Sequence, residues 1–214
     1  MELEYFILFL PLLAAFISGF LGKFIGHRSS EIITSLFTSV SAVLSILVFY
    51  KVMDQSYENN IIISTWLNSG SLNVNWSTKI DALSSVMLVV VTLISSLVHI
   101  YSIGYMSHDP HKPRFMSYLS LFTFSMLTLV TSDNFLQLFF GWEGVGLCSY
   151  FLIGFWFKKD SANAAAIKAF IVNRVGDFGF ALGIFLIFYL YGTVNYNEVF
   201  SQVPLSINNE ISFL

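Results

Sequence analysis

Charged side chains are scarce in this chain. Asp, Glu, Lys and Arg make up only 11% of its 214 residues, whereas hydrophobic residues make up 56%. Soluble domains carry about 25% charged residues. The mean hydropathy of +0.73 agrees with this deficit. Together with long uncharged runs, it indicates a protein whose solvent is the lipid bilayer rather than water.

Cysteine and net positive charge are also lacking. The single cysteine, Cys148, excludes an internal disulfide and a thiolate metal cluster made by this chain alone, and we expect it to serve in packing. The formal net charge of −3 gives no support for a nucleic-acid partner. The sequence has no phosphate-binding glycine loop and no nucleophile–base arrangement, so no catalytic residue is predicted. His108 and His111 flank Pro110, which is better explained as a turn than as a metal site.

Six segments are long and apolar enough to cross a hydrocarbon core of roughly 30 Å as helices. The first follows acidic residues, unlike the basic start of a secretory signal, so we interpret it as a retained helix. The sequence therefore predicts an all-α, polytopic membrane helix bundle. Its helices are expected at approximately 3–22, 31–51, 82–106, 115–132, 134–157 and 161–191.

The connections between these segments add topology. The longest, 52–81, is polar but contains Ile61–Ile63 and later Asn68–Ser71, which predicts a small β-hairpin on the membrane surface. The connection 132–133 is so short that the fourth and fifth helices must be antiparallel neighbours. The polar tail from Asn195 to Leu214 is typical of a loop leading to a further helix. We therefore expect residues 1–214 to be the N-terminal part of one longer transmembrane domain.

The basic residues predict the orientation of the chain. With the N-terminus outside, the inner connections carry six basic residues and the outer ones carry two, Lys51 and Lys79. Because inner connections are enriched in Lys and Arg, this favours an outside N-terminus. The six inner residues are Lys23, Arg28, Lys112, Arg114, Lys158 and Lys159.

Two acidic residues fall inside predicted helices. Glu143 lies about ten residues into the fifth helix and Asp177 about sixteen into the sixth, so at about 1.5 Å per residue both come near the bilayer centre. A charge there costs at least about 2.5–3.5 kcal/mol on insertion scales. Each carboxyl either is protonated and bonds a neighbouring helix, or faces a water-filled path. Two such residues on consecutive helices favour the second interpretation.

Two basic residues share the sixth helix with Asp177. Arg174 precedes it by three residues and therefore lies on the same helix face. Paired, the two can stay ionised where either alone would be costly. The pair either only neutralises itself or also orders water beside Asp177. Lys168 precedes Asp177 by nine residues, on the opposite side of the helix, where it either snorkels to the surface or lines a half-channel.

Glycines cluster around both acids, which permits close helix approach or leaves room for water. They are Gly141, Gly144 and Gly146 beside Glu143, and Gly176, Gly179 and Gly183 beside Asp177. His99, late in the third helix, is interpreted as an interfacial hydrogen-bonding residue, with a proton relay as the alternative. Asp81 and Asp133 precede helices and are predicted to be N-caps.

The run Gly141–Tyr150 (GWEGVGLCSY) resembles a motif of the antiporter-like subunit 5 (subunit L) of NADH:quinone oxidoreductase, respiratory complex I. Three further stretches of this chain resemble the same family and occur in the same order. The likeness covers essentially the whole chain. The large subunit of Mrp sodium/proton antiporters shares the glutamate of the fifth helix. The further stretches are His99–Tyr101 with Tyr105–Met106, Lys168–Phe170, and Asn173–Asp177.

This resemblance implies a bundle of inverted five-helix repeats with broken helices at the ion path. Glu143 corresponds to the family's helix-five glutamate, which pairs with a lysine on helix seven, and Arg174 and Asp177 match its helix-six charged pair. The lysine and the second repeat would lie beyond Leu214, because family members are about three times longer. The resemblance also implies an outside N-terminus.

The implied function is that of a membrane-arm subunit of NADH:quinone oxidoreductase, which translocates protons coupled to NADH oxidation by quinone. We expect no cofactor on this chain; NADH, FMN, iron–sulfur clusters and quinone belong to partner subunits. Its partners would be other membrane-arm subunits and the lipid of a bacterial plasma membrane or mitochondrial inner membrane. The expected proton-translocating residues are Glu143, Asp177, Arg174, Lys168 and His99.

Two alternatives stay open at this point. The chain could be the large subunit of an Mrp-type Na+/H+ antiporter, in which case transport would depend on sodium. It could also be a membrane scaffold, in which the buried charges only specify how helices pair.

Overall fold

The computed structural model describes residues 3–55, 57–70 and 72–207. It is a helix bundle with one two-stranded sheet, as predicted, and α1 to α6 correspond to the six predicted helices with ends shifted by a few residues. The elements in chain order are α1 (Leu3–Ile25), α2 (His27–Gln55), β1 (Asn59–Ser69), β2 (Leu72–Ile80), α3 (Ala82–Tyr105), α4 (Lys112–Val130), α5 (Phe135–Ile153), α6 (Asp160–Tyr191) and α7 (Tyr196–Ile207).

The helix α4 lies at the centre of the bundle. It packs against α1, α2, α3 and α5, whereas α6 packs mainly on α5. Among the described helices, five are long and apolar enough to cross a membrane: α1, α2, α3, α5 and α6. The remaining predicted span, α4, is less apolar because protein rather than lipid covers it, and Ser120, Thr123 and Thr128 are all buried there.

Hydroxyl groups, rather than large side chains, fill much of the space between the helices. Ser45 Oγ lies 2.7 Å from Thr92 Oγ1 between α2 and α3. Ser117 Oγ donates to the Ala15 carbonyl of α1 at 2.8 Å. Large apolar side chains such as Phe20 and Tyr189 point outward instead, at 74% and 84% exposure. This distribution is typical of membrane bundles, because small residues let helix backbones approach and lipid solvates the apolar exterior.

The predicted hairpin is confirmed and is fastened to the helices below it. Strands β1 and β2 pair antiparallel, with Gly70 in the left-handed region (φ +60°) at the turn. The buried Gln137 side chain, in the first turn of α5, accepts from Ser77 N at 3.0 Å and donates to Ser77 O at 2.6 Å. Lys79 N also donates to the carbonyl of Thr131, at 2.8 Å. The hairpin therefore caps one end of the bundle, here called the hairpin side.

Of the two predicted N-caps, one is confirmed and one is wrong. Asp81 caps α3: its carboxylate accepts from Ser84 N at 2.8 Å, and Ser84 Oγ accepts from Asp81 N at 2.7 Å. Burial raises the pKa of the Asp81 carboxyl, but the Ser84 hydrogen bonds and the nearby Lys79 ammonium outweigh it and hold the pKa below its ordinary value. The cap of α5 is Asn134, whose side chain accepts from Gln137 N at 2.8 Å.

Asp133 has a different role from the predicted one. Its carboxylate accepts hydrogen bonds from the side chains of Asn60, Asn134 and Asn195, at 3.3, 2.6 and 3.5 Å. It therefore links the hairpin, the start of α5 and the segment after α6. Its hydrogen-bond donors are these side-chain amides rather than the backbone N–H groups of a helix N-terminus.

The polar tail is not a loop over its whole length. Residues 196–207 form α7, and Tyr196 N donates to the Asp133 carbonyl at 3.0 Å. The loop prediction is wrong here because residues such as Val199, which is 4% exposed, gain a buried apolar face on docking. The rest of the predicted tail, 208–214, lies outside the described residues.

Close approach of α4 and α5 depends on one glycine. A Cβ built at Gly141 would lie 2.7 Å from the Cα and N atoms of Leu129, so the two backbones touch at this point. At Gly146 on the same helix, no described atom outside the immediate backbone lies within 4 Å. The predicted role of glycines in helix approach is thus confirmed at Gly141.

We expect Gly141→Ala to destabilise the bundle. Overpacking against the Leu129 backbone costs about 1–3 kcal/mol, which exceeds the roughly 1 kcal/mol that Ala gains over Gly in a helix. The measurement is the thermal unfolding midpoint in detergent micelles, followed by circular dichroism. Gly146→Ala is the matched control and should leave stability unchanged or raise it. Equal midpoints for the two variants would contradict the proposed backbone contact.

Candidate functional site

The charged residues predicted at mid-membrane meet between α5 and α6. These helices run antiparallel, joined by the connection 154–159, so residues at similar distances from it lie at the same depth. Arg174 Nη1 of α6 forms an ion pair with Glu143 Oε2 of α5. The same guanidinium nitrogen lies 3.5 Å from Asp177 Oδ2, one turn further along α6. Arg174 therefore bridges two carboxylates on two helices.

A tryptophan completes this group. Trp142 Nε1 donates to Asp177 Oδ1 at 2.8 Å, so one Asp177 oxygen faces Arg174 and the other faces the indole. The Asp177 side chain is only 10% exposed, compared with 24% for Glu143 and 41% for Arg174. We refer to Trp142, Glu143, Arg174 and Asp177 as the charge cluster. Asp177 is its most enclosed member, and both of its oxygens have donors.

Aromatic rings enclose the charge cluster along the helix axis. On the hairpin side, the Phe180 ring makes edge contacts with Phe139 and Trp142, at centroid distances of 5.6 and 6.0 Å. On the opposite side, the Arg174 guanidinium lies 4.4 Å above the centre of the Phe170 ring. The ring beneath the guanidinium attracts its positive charge and takes the place of hydration.

The glycines of α6 face away from the described helices. A Cβ added at Gly176, Gly179 or Gly183 would meet no described atom within 4 Å, so no described helix packs on these glycines. Of the two alternatives for Gly179 and Gly183, helix packing is therefore not found within the described chain. Glu143 and Arg174 are partly accessible, with side-chain exposures of 24% and 41%.

The charges of the cluster define what it can bind. One guanidinium and two ionised carboxylates sum to a net charge of −1, which is costly in hydrocarbon. One proton on a carboxylate, or one further cation beside it, would bring the group to neutrality. Asp177 has Arg174 and Trp142 as partners, whereas Glu143 has only Arg174 among the described residues. Glu143 therefore has fewer polar partners than Asp177 among the described residues.

The other two predicted site residues lie apart from the cluster. Lys168 is exposed on the side of α6 facing away from Asp177, and it makes no ion pair with any described residue. His99 is fully buried between α3 and α4 rather than at an interface with the membrane surface. Its Nδ1 lies 2.8 Å from the Ser95 carbonyl and its Nε2 lies 3.0 Å from Ser120 Oγ. Since a carbonyl only accepts, Nδ1 carries a proton, and in the neutral ring Ser120 donates to Nε2.

Two features of the cluster are absent from the sequence-based predictions. The first is the direct Glu143–Arg174 pair, since the sequence pairs Arg174 only with Asp177 on its own helix. The second is Trp142, which belongs to the fifth-helix motif but carries no predicted role. The signal for it is its position beside Glu143, because an indole N–H in hydrocarbon needs an acceptor on a neighbouring helix.

Comparison with protein-family models gives two matches, which cover different parts of the chain. Residues 66–116 match the N-terminal family of chain 5 of NADH-ubiquinone oxidoreductase (complex I). Residues 132–214 match the transmembrane family of NADH:quinone oxidoreductase and Mrp antiporters. The second range contains all four residues of the charge cluster.

Relatives at high identity carry consistent names. The chain is 54% identical to NADH-ubiquinone oxidoreductase chain 5 of Chondrus crispus, over 97% of this chain and 31% of the relative. It is 53% identical to the Arabidopsis thaliana protein of the same name, over 96% of this chain and 31% of the relative. It is 51% identical to NADH-quinone oxidoreductase subunit L of Rickettsia felis, over 98% of this chain and 33% of the relative. The chain thus spans about a third of the length of these curated relatives.

Two solved structures with the same fold are chains of other complexes. A chain of the archaeal membrane-bound sulfane sulfur reductase, a respiratory membrane complex, superposes with a TM-score of 0.79 at 19% identity, covering 92% of this chain and 39% of that one. A chain of the Mrp complex of Dietzia sp. DQ12-45-1b gives 0.77 at 22% identity, covering 92% and 20%. At these identities the likeness concerns the fold alone.

The fold and the matches first define a class, the multi-pass antiporter-like membrane proteins. Within that class, the chain belongs to the family of complex I chain 5, also called subunit L of NADH:quinone oxidoreductase.

We expect Trp142→Phe to destabilise the α5–α6 pair. The change removes the N–H donor to Asp177, and in hydrocarbon no water replaces it, so the cost should be about 1.5–3 kcal/mol for a hydrogen bond to a charged group. Trp156→Phe is the matched control, because Trp156 Nε1 donates to Asp109 in an exposed connection where water can substitute. Thermal unfolding in detergent micelles measures both. A loss for Trp156→Phe as large as for Trp142→Phe would contradict this assignment.

Proposed function

We propose that the chain forms part of a proton-translocating membrane-arm subunit of NADH:quinone oxidoreductase. The observation that carries the proposal is Arg174 bridging Glu143 and Asp177 within two membrane-spanning helices. Relatives at 50% identity or more that are named as chain 5 or subunit L of this enzyme support it. The subunit would take part in the enzyme's coupled reaction without binding a redox centre itself.

In the proposed mechanism, Glu143 alternates between two states. When it is ionised, Arg174 bridges both carboxylates. When it is protonated, Arg174 remains paired with Asp177, and Trp142 keeps the second Asp177 oxygen bonded. The cluster can therefore accept and release one proton while α5 and α6 stay joined.

A moving charge can drive this alternation. Transfer of one proton against 100 mV requires about 2.3 kcal/mol. A unit charge arriving about 4 Å away changes the energy of a carboxylate by roughly 4 kcal/mol at an effective dielectric constant of about 20. The approach of one cation, such as the helix-seven lysine that the family resemblance implies, therefore changes the energy of the carboxylate by enough to move one proton against 100 mV.

The surroundings of the chain follow from the same proposal. The subunit would contact other membrane-arm subunits and lipid, in a bacterial plasma membrane or mitochondrial inner membrane. NADH, FMN, iron–sulfur clusters and quinone would be held by partner subunits. The N-terminus and the hairpin side would face outward, which the distribution of basic residues supports.

An Mrp-type Na+/H+ antiporter subunit is the second candidate. Two observations favour it: the family shared with Mrp antiporters over residues 132–214, and the fold of the Dietzia Mrp complex. A cluster with a net charge of −1 attracts a sodium ion as well as a proton. The names of the relatives at high identity favour complex I.

We expect Glu143→Gln, introduced into the assembled complex, to lower proton transport by about tenfold or more, because a carboxamide cannot carry the proton. The variant complex should still assemble. When detergent uncouples NADH oxidation from proton transport, the variant should still oxidise NADH. Proton uptake into proteoliposomes is the measurement. Glu58→Gln is the matched control, because Glu58 is exposed in the connection before β1.

Three outcomes would lead to other conclusions. Transport that stays normal in Glu143→Gln would overturn the proposed role of Glu143. Failed assembly, with normal transport by the complexes that remain, would support a scaffold. Transport that requires sodium at constant pH would support the antiporter.

A further inference from the structure

A groove of about 510 Å³ runs between α1 and α4 on the outer surface of the bundle. Its floor consists of small residues that bring the two helices into contact. A Cβ added at Gly19 would lie 2.7 Å from Ser117 Oγ, and that hydroxyl donates to the Ala15 carbonyl at 2.8 Å. Its walls are large side chains, among them Phe16 and Phe20, which are 51% and 74% exposed. The groove is therefore apolar and accessible from outside the bundle.

One end of the bundle carries an excess of positive charge. This end lies opposite the hairpin, and we call it the basic side. The three connections there hold six Lys and Arg residues with their adjoining helix ends, against three acidic residues, which leaves a net charge of +3 when His is neutral. The acidic residues are Glu31, Asp109 and Asp160.

Two of these cations stand at the basic end of the groove. Arg114 of α4 is one of its lining residues. A Cβ added at Gly22 would lie 2.6 Å from Pro113 Cβ, so α1 and α4 touch there. The next residue of each helix is a cation, Lys23 or Arg114, and the two cations therefore lie at a similar depth. Lys23 follows Phe16 by seven residues, about two helical turns, and so shares its face of α1.

Neither cation is neutralised within the described part of the chain. Lys23 and Arg114 form no ion pair with any described carboxylate. The Asp109 carboxylate is close enough to feel the Arg114 charge, but it accepts its hydrogen bonds from other groups. Of the five N–H donors of a guanidinium, Arg114 uses Nη2 to donate to the Phe155 carbonyl at 3.0 Å, and its buried Nε has no acceptor. Arg114 therefore has donors left for an anion.

A second groove of the same volume shows what is particular to the first. It also measures about 510 Å³ and lies between α2 and α3, where Leu36 and Ile100 line it. No charged residue is among its lining residues in the described chain. Arg28, near the start of α2, is seven residues, about 10.5 Å along the helix, from Ser35, the lining residue nearest the basic side. Of these two apolar grooves, the one between α1 and α4 thus has a cation in its wall.

We propose that the α1–α4 groove binds one anionic phospholipid from the leaflet on the basic side. The phosphate lies between Lys23 and Arg114, and one acyl chain lies over Gly19 and Ser117 between the walls. Charge complementarity selects this occupant, because a phosphate supplies the acceptors that both cations lack and matches the fork of a guanidinium. Basic residues beside a membrane also attract anionic lipids. This inference goes beyond the proposed function and does not depend on the charge cluster.

Photo-crosslinking with two lipids of identical chains tests the site. The full complex is reconstituted in phosphatidylcholine vesicles that contain a trace of phosphatidylglycerol or of phosphatidylcholine, each with the same photoreactive diazirine in one acyl chain. Mass spectrometry then locates the labelled residues. Because each basic residue near the surface favours an anionic lipid by about fivefold, phosphatidylglycerol should label the groove at Phe16 at least about tenfold more than phosphatidylcholine does.

Leu36 is the matched control position in the same chain. Leu36 and Phe16 are each ten residues from Gly26, the turn between α1 and α2, and therefore lie at a similar depth. Their exposures are also similar, at 53% and 51%. Since no charged residue lines the α2–α3 groove in the described chain, the two lipids should label Leu36 equally.

Charge variants identify the phosphate contact. Lys23→Gln should lower labelling of Phe16 by phosphatidylglycerol about fivefold, and Arg114→Gln should lower it at least as much. Lys23 is exposed and has no described partner, so its variant keeps the test valid if loss of the Phe155 bond misfolds Arg114→Gln. Lys158→Gln removes the same charge from the α5–α6 connection on the basic side and should leave labelling unchanged.

Three results would overturn the lipid site. The first is equal labelling of Phe16 by the two lipids. The second is labelling by phosphatidylglycerol that is undiminished in both Lys23→Gln and Arg114→Gln. The third is absence of label at Phe16 in the assembled complex, which would mean that another helix or subunit covers the groove.

Discussion

Three charges on two adjacent helices must balance one another in a region where water cannot do so. Arg174 faces carboxylates on its own helix and on α5, and the arrangement around it follows from that requirement. Phe170 supports the guanidinium from below, and Trp142 supplies the donor that the second Asp177 oxygen would otherwise lack. The bridge joins α6 to α5, the helix on which α6 mainly packs. An ion pair of modest value at a water-exposed surface thus becomes a determinant of helix position in hydrocarbon.

Apart from the Lys112–Glu31 ion pair between α4 and α2, much of the rest of the bundle solves the same problem with neutral groups. Many hydroxyls between α2, α3 and α4 bond to a carbonyl one turn back or to a hydroxyl across the interface, as Ser95 and Thr123 do at 2.5 Å. His99 belongs to this neutral network, with both ring nitrogens bonded inside the α3–α4 interface. The molecule therefore separates a hydroxyl-rich, closely packed half, α1 to α4, from a charged and more open edge, α5 and α6.

The sequence predicts the features that depend on neighbours along the chain. Apolar length predicts the helices, turn residues predict the hairpin, and the place of Asp81 before α3 predicts its cap. The depth of Glu143, Arg174 and Asp177 follows in the same way. Contacts between distant elements cannot be predicted in this way. The predicted cap at Asp133 is wrong because the local sequence does not show that α5 begins after Asn134. It also does not show that asparagines distant in the chain donate to Asp133. The Trp142–Asp177 bond and the folding of α7 likewise depend on which surfaces meet, which composition does not encode.

The fastening of the hairpin has a consequence for the order in which the protein forms. Ser77 is bonded to a side chain 60 residues later in the chain, Gln137, and Lys79 N to the carbonyl of Thr131. At a synthesis rate of about 5–20 residues per second, the ribosome completes β2 some seconds before Gln137 exists. During that interval the two strands, whose outer edges are unpaired, lie at the membrane surface without the contacts that later hold them to the ends of α4 and α5. The hairpin, although early in the sequence, is therefore among the last parts of this bundle to become fixed in place.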